Sequence, residues 1–158
     1  MISRYEQFSF LISGIYRSIQ KIEREEMIKY GYKGAYAQYL VVMMRHPGGI
    51  TAAQLGEESE KDKAAVSRAV ADMLEKGLLR REAEGDTMYR ARLYLTKEGQ
   101  EAAQFVSQRA AEAVSAVGLT DEEREHFYRV LDMIAGNLQE ISVKGIPRAH
   151  RAKADIAE

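Results

Sequence analysis

Apolar positions divide the chain into helices interrupted by one short β segment. Phe8, Ile12, Ile15, Ile19 and Ile22 recur at alternating steps of four and three, the seam by which one helix packs along another. This predicts a long helix over about 3–30, broken by Gly31 and Gly34. A second helix over about 35–45 gathers Tyr36, Tyr39, Leu40, Met43 and Met44 on one side, and His46-Pro47-Gly48-Gly49 stops it with turn chemistry. Thr51 and Gln54 stand at the spacing of a capping box, in which the two side chains satisfy helix-start amides, and open a short helix to about Glu58. Another helix is expected over about 61–76, with Gly77 as its C-terminal cap. Two helices joined by a short turn form a helix-turn-helix outline.

The period then shortens. Segments 78–84 and 89–95 read as strands joined by a hairpin tip at 85–88. Thr96 caps a helix that runs to about Val117, Gly118 ends it, and Thr120 with Glu123 forms a second capping box. The last helix carries Phe127, Leu131, Ile134, Leu138 and Ile141, again at four and three. The expected fold is mainly α (α+β). A winged helix-turn-helix core over 35–97 is flanked by a long helix in 1–34 and by helices in 98–142, with a short polar tail at 143–158. The terminal seams either pack on each other within one chain or pair across a two-fold axis.

The 61–76 helix carries the candidate chemistry. On a wheel of about 100° per residue, Val66, Val70, Met73 and Leu74 share the inward side. Lys61, Ala64, Arg68 and Asp72 share the outward side, with Ala65 beside them. A helix enters a DNA major groove only where bulk is absent, and its first turns reach the base edges. Ala64 and Ala65 permit that approach, Ser67 and Arg68 supply hydrogen bonds, and Lys61 and Lys63 suit phosphates. The same pattern also describes an ordinary amphipathic helix with a solvated face. The hairpin that follows separates the two readings. Arg90 and Arg92 lie two apart, so they share one side of a strand, placed for a backbone or minor-groove contact beside a helix-turn-helix.

Net charge alone, at −1 over 158 residues, counts against nucleic-acid binding. Residues 61–97, however, hold nine Lys and Arg against six Asp and Glu, a local surplus that predicts moderate, salt-dependent binding. The absence of cysteine removes disulfides, zinc thiolates and thiol redox sensing. No run of about 18 apolar residues marks a membrane span, and the start lacks a signal peptide's basic and apolar regions. A cytoplasmic protein with no membrane association is expected. Glu123 and His126 make half of a di-iron spacing with no second copy, and His46 reads as a helix-end residue. No nucleophile and base, no phosphate-binding glycine loop and no ligand cluster stand out. Catalytic residues, metal and cofactor are therefore not expected, nor is enzymatic activity.

Ile50-Thr51-Ala52-Ala53-Gln54-Leu55, then Val66-Ser67-Arg68, then Met73 through Arg81, then Leu93-Tyr94-Leu95-Thr96-Lys97-Glu98-Gly99 closely resemble the MarR family of winged helix-turn-helix regulators. The order of elements agrees over nearly the whole chain. The resemblance implies a homodimer held by its terminal helices, through Phe8, Ile12, Ile15, Ile19, Phe127, Leu131, Ile134, Leu138 and Ile141. It implies double-stranded DNA with a pseudo-palindromic operator as partner, contacted also by Arg80 and Arg81 at the start of the wing. It further implies a repressor modulated by a small amphipathic or phenolic effector. Tyr16, Tyr36, Tyr39, Met43 and Met44 are the candidate pocket lining, with plain core packing as their other reading. The alternative function is a winged-helix protein-interaction module without sequence-specific DNA binding.

Overall fold

A computed structural model describes residues 4–83 and 91–146. The expected hairpin tip at 85–88, Arg90 and the tail beyond 146 lie outside the described residues. The elements run α1 (Arg4–Lys29), α2 (Tyr36–Met44), α3 (Ala52–Glu58), α4 (Lys63–Glu75), β1 (Leu79–Glu82), β2 (Arg92–Leu95), α5 (Lys97–Ser115) and α6 (Asp121–Lys144). The chain divides into two compact units after Ala116, so α6 is a unit by itself. Among the described residues no helix is long and apolar enough to cross a membrane.

α2 is the axis of the first unit. Six of its nine residues are buried, among them Tyr36, Leu40 and Met43. Around it pack Met27 of α1, Leu55 of α3, Val66, Val70 and Met73 of α4, Leu93 of β2, and Ala102 and Val106 of α5. Each large side chain fully removed from water contributes about 1.5–3 kcal/mol, so α2 ties every other element of this unit into one core. α1 also docks on α5 through charge. Glu26, 8% exposed, accepts from Arg109 Nε at 3.1 Å and from Lys29 Nζ at 2.5 Å. Beside them the Tyr30 and Phe105 rings stack with centroids 4.8 Å apart.

Caps place the helix ends. Thr51 accepts from the Gln54 amide, and the Gln54 side chain returns the bond to the Thr51 amide, as the spacing predicts. α4 closes in a Schellman motif: Gly77 takes φ +71°, its N–H donates to Leu74 O, and the Leu78 N–H donates to Met73 O. β1 and β2 pair antiparallel with Leu79 opposite Leu95 and Glu82 opposite Arg92, shorter than the strands expected from the sequence. A bridge absent from the sequence reading extends the wing: Ile50 exchanges both backbone bonds with Leu93.

The Leu-Thr-x-x-Gly stretch has a steric reason. Thr96 caps α5 by accepting from the Gly99 amide, and its hydroxyl donates to Gly77 O at 2.6 Å. A Cβ on Gly99 would stand 2.0 Å from the Leu78 carbonyl oxygen, so only glycine lets α5 start hard against the wing. In the second unit, Thr120 and Glu123 form the expected capping box. Acidic residues fill the first turn of α6 and Lys144 the last, complementing the helix dipole. No residue of α6 is buried.

Candidate nucleic-acid interface

The turn between α3 and α4 is set by close approach. The Ser59 hydroxyl is buried and donates to Leu55 O at 2.5 Å, ending α3. Glu60 adopts φ +54° to reverse the chain, a left-handed conformation few non-glycine residues take. A Cβ on Gly56 would come within 3.2 Å of both Lys61 O and Val66 Cγ2, so glycine here lets the two helices touch. Asp62 then caps α4 by accepting from the Ala65 amide at 2.8 Å. That bond holds the Asp62 carboxyl below the ordinary aspartate range.

This cap corrects the expected helix start at 61. A carboxylate at N-cap satisfies an orphan amide and favours the dipole, so α4 begins at Lys63 and Lys61 sits in the turn before it. The outward residues of α4 are Lys63, Ala64, Ser67, Arg68, Ala71 and Glu75, all exposed. Ala65 is half-buried, so only Ala64 of the expected alanine pair is fully outward. Asp72, expected outward, is turned to α2. It accepts from the Tyr36 hydroxyl and pairs with Lys33, which hold its carboxyl below the usual range. Burial, and then the bond to Asp72, push the Tyr36 phenol up. Tyr39, next to Asp62 and Arg68, is raised mainly by burial.

Lys61, Lys63, Ser67 and Arg81 meet around one hollow of about 490 Å³, floored by Ala52, Ala53, Val66 and Val70. It joins α3, α4 and β1. Arg80 does not reach it. Successive strand residues face opposite sides, and Arg80 lies over the Tyr94 ring at 4.5 Å while pairing with Glu82. It borders a different hollow with Met43, Met44 and His46. Arg92 is on the Arg80 side and donates to Gly49 O at 3.2 Å. Of the four arginines expected as DNA contacts in the wing, Arg80 and Arg92 brace its described part, Arg81 is the one beside α4, and Arg90 lies outside the described residues.

The five candidate pocket residues do not share a cavity. Tyr36, Tyr39 and Met43 are at most 4% exposed and belong to the core, while Tyr16 is 48% exposed on α1. Aromatic and thioether bulk at helical spacing is what α2 needs as the centre of packing. Tyr39 also edges a separate hollow of about 560 Å³ between α1 and α2, which the sequence reading missed. Its signal was Arg17, Lys21 and Arg24 at steps of four and three. Of the seam residues, Ile12, Ile15, Phe127 and Leu138 are exposed, and Phe8, Ile19, Leu131, Ile134 and Ile141 are half-buried. Ile15 and Ile19 line an apolar groove of about 360 Å³ completed by Ala113 and Val114 of α5, a contribution the seam did not foretell.

The capped helix pair, the antiparallel wing and the α5 start pressed against it define a winged helix-turn-helix protein. Residues 30–87 match the model of the MarR family. The match covers part of the chain, and over most of its length the fold is similar to that of solved MarR family structures. A MarR family transcriptional regulator from Silicibacter pomeroyi is 23% identical, with a TM-score of 0.69 over 86% of this chain and 92% of that one. One from Methanosarcina mazei Go1 is 22% identical, with a TM-score of 0.72 over 86% and 99%. A third, from Listeria monocytogenes and solved in complex with a 26mer DNA, is 20% identical, with a TM-score of 0.65 over 88% and 95%. Comparison with curated proteins gives no match.

Proposed function

We propose that this chain is a sequence-specific DNA-binding regulator of transcription that works in the cytoplasm as a homodimer, without catalytic activity of its own. The observation that carries the reading is the outward side of α4. Lys63, Ala64, Ser67 and Arg68 make it slim and basic, and it stands beside Lys61 and Arg81 across one hollow. That shape admits base edges, and those cations suit phosphates. Ala64 approaches a thymine methyl, Ser67 and Arg68 read bases or backbone, and Lys61, Lys63 and Arg81 hold phosphates. Ala65 supports the close approach from the helix edge. Arg80 and Arg92 position the wing. The DNA complex of the Listeria relative supports the same use of the fold.

Exposed apolar residues on α1 and on α6 support dimerisation. A two-fold pair of recognition helices reads a pseudo-palindrome with half-sites about one turn apart. Repression relieved by a small effector fits this arrangement when the effector binds one spacing of the recognition helices better than another. Selection of bound fragments from random duplex DNA, followed by anisotropy titration, tests the proposal. A pseudo-palindromic motif with competition-resistant binding at moderate salt is expected. Equal affinity for all sequences, or none for any, overturns it.

A further inference from the structure

The inner side of α4 is apolar, with Val66, Val70 and Met73 buried. Apolar contact is non-directional. It decides which side of the helix faces the core and leaves the exact roll about the helix axis to finer contacts. A hydrogen bond has a preferred line and a narrow range of length. α4 makes such bonds to another part of the fold at Asp72, one helical turn beyond Arg68. The Asp72 Oδ2 accepts from the Tyr36 hydroxyl and from Lys33 Nζ.

The two donors are held together. The Tyr36 amide donates to Lys33 O at 3.0 Å, so the turn leading into α2 carries both side chains. The Lys33 ammonium lies 5.9 Å from the centre of the Tyr36 ring. Tyr36 is buried at the start of α2, with the Tyr32 ring centroid 6.5 Å away. Its hydroxyl is therefore a fixed point of the core, and Lys33 adds a charge-assisted bond to the same oxygen.

Asp72 shares a row with the residues that face DNA in the functional reading. Each step of four along a helix turns the wheel by about 40°. Arg68 thus stands about 40°, and Ala64 about 80°, from the clamped carboxylate. A roll of about 20° moves a side-chain tip, about 5–6 Å from the axis, by about 2 Å. Hydrogen bonds to base edges do not survive that shift, because their lengths span only about 0.5 Å. Attraction to phosphate does survive it, because charge acts over a longer range. The clamp therefore bears on sequence discrimination more than on affinity for DNA in general.

We propose that Asp72 is a positioning residue for DNA recognition: the bonds its carboxyl oxygen accepts from Tyr36 and Lys33 fix the roll of α4, and so set how strongly one sequence is preferred over another. The proposal rests on the DNA-binding reading.

Anisotropy titrations of the full chain with its selected duplex, and with a scrambled duplex of the same length and composition, test it through the ratio of the two affinities. Asp72→Ala should lower that ratio at least about tenfold, the weight of one good base contact. Tyr36→Phe, which keeps the ring in the core, should lower it about threefold to tenfold. Asp72→Asn keeps an accepting oxygen and should retain most of the ratio, while its lost negative charge leaves affinity for the scrambled duplex equal or higher. A role in stability alone would reduce the folded fraction, and with it both affinities, so the ratio would not move. A ratio unchanged in Asp72→Ala and Tyr36→Phe overturns the proposal, and so does an Asp72→Asn chain as indiscriminate as Asp72→Ala. If Asp72→Ala does not fold, Tyr36→Phe decides by the same ratio. A parent chain that prefers no duplex overturns the DNA-binding reading and the proposal together. A discriminating parent with unaffected variants overturns the proposal alone.

Discussion

In α4 the residues turned from the core include Lys63, Ala64, Ser67, Arg68 and Ala71. In α1 the exposed residues include Phe10, Leu11, Ile12, Ile15 and Tyr16. Both helices follow the same amphipathic rule on their inner side, where Val66, Val70 and Met73 of α4 and Met27 of α1 enter one core. Their outer sides differ in what water does to them. A slim polar face is well hydrated and waits for a partner that offers charge. A broad apolar face is costly in water at about 25 cal/mol per Å², and a second apolar surface relieves it. Inner faces thus decide folding, and outer faces decide what the folded chain meets.

The largest expected effect is on the core both helices share. Leu40→Ala, at a fully buried position of α2, should cost about 2–5 kcal/mol in urea denaturation. A loss below about 1 kcal/mol would mean that α2 is not the axis of packing. The next change separates the two outer faces. Ile15→Glu places a charge in the apolar groove of α1, and dimerisation should weaken by about 2–4 kcal/mol in sedimentation equilibrium. The isolated chain should keep its helical circular dichroism. A dimer unaffected by the change would remove α1 from the interface.

Arg68→Ala probes the opposite face. Specific DNA binding should fall by about 1–3 kcal/mol while the dimer stays intact. A loss equal on every sequence would assign Arg68 to phosphate alone. The smallest effect concerns the tie between α1 and α5. Lys29 and Arg109 hold the Glu26 carboxyl below its ordinary value of 4.5. A carboxylate depressed in the folded state adds stability above its unfolded value, and that stability is lost as pH falls through the folded value. Thermal melts should therefore show Glu26→Gln less stable than the parent at neutral pH, with the gap closing below pH 4.5. A gap that persists in acid would assign the effect to packing rather than to charge.

Much of this was legible in the chain. The capping boxes at Thr51 and Thr120 and the Gly77 cap are local patterns that local hydrogen bonds enforce, and the inward stripe of α4 follows from helical periodicity. Lys61 was placed inside the helix because apolar periodicity does not mark a helix's first residue; the Asp62 side chain, accepting from the Ala65 amide, starts α4 at Lys63. Asp72 was misread because a helical wheel cannot see Lys33 and Tyr36, which are distant in sequence.

Periodicity and cap chemistry, which act over three or four residues, were enough to determine the order, kind and approximate ends of the elements. Which adjacent arginine of the wing faces α4, why Gly99 must be bare, and where Arg17, Arg24 and Lys61 converge were settled only in three dimensions. Those outcomes depend on strand register and on contacts between residues far apart in sequence, and neither leaves a repeat along the chain.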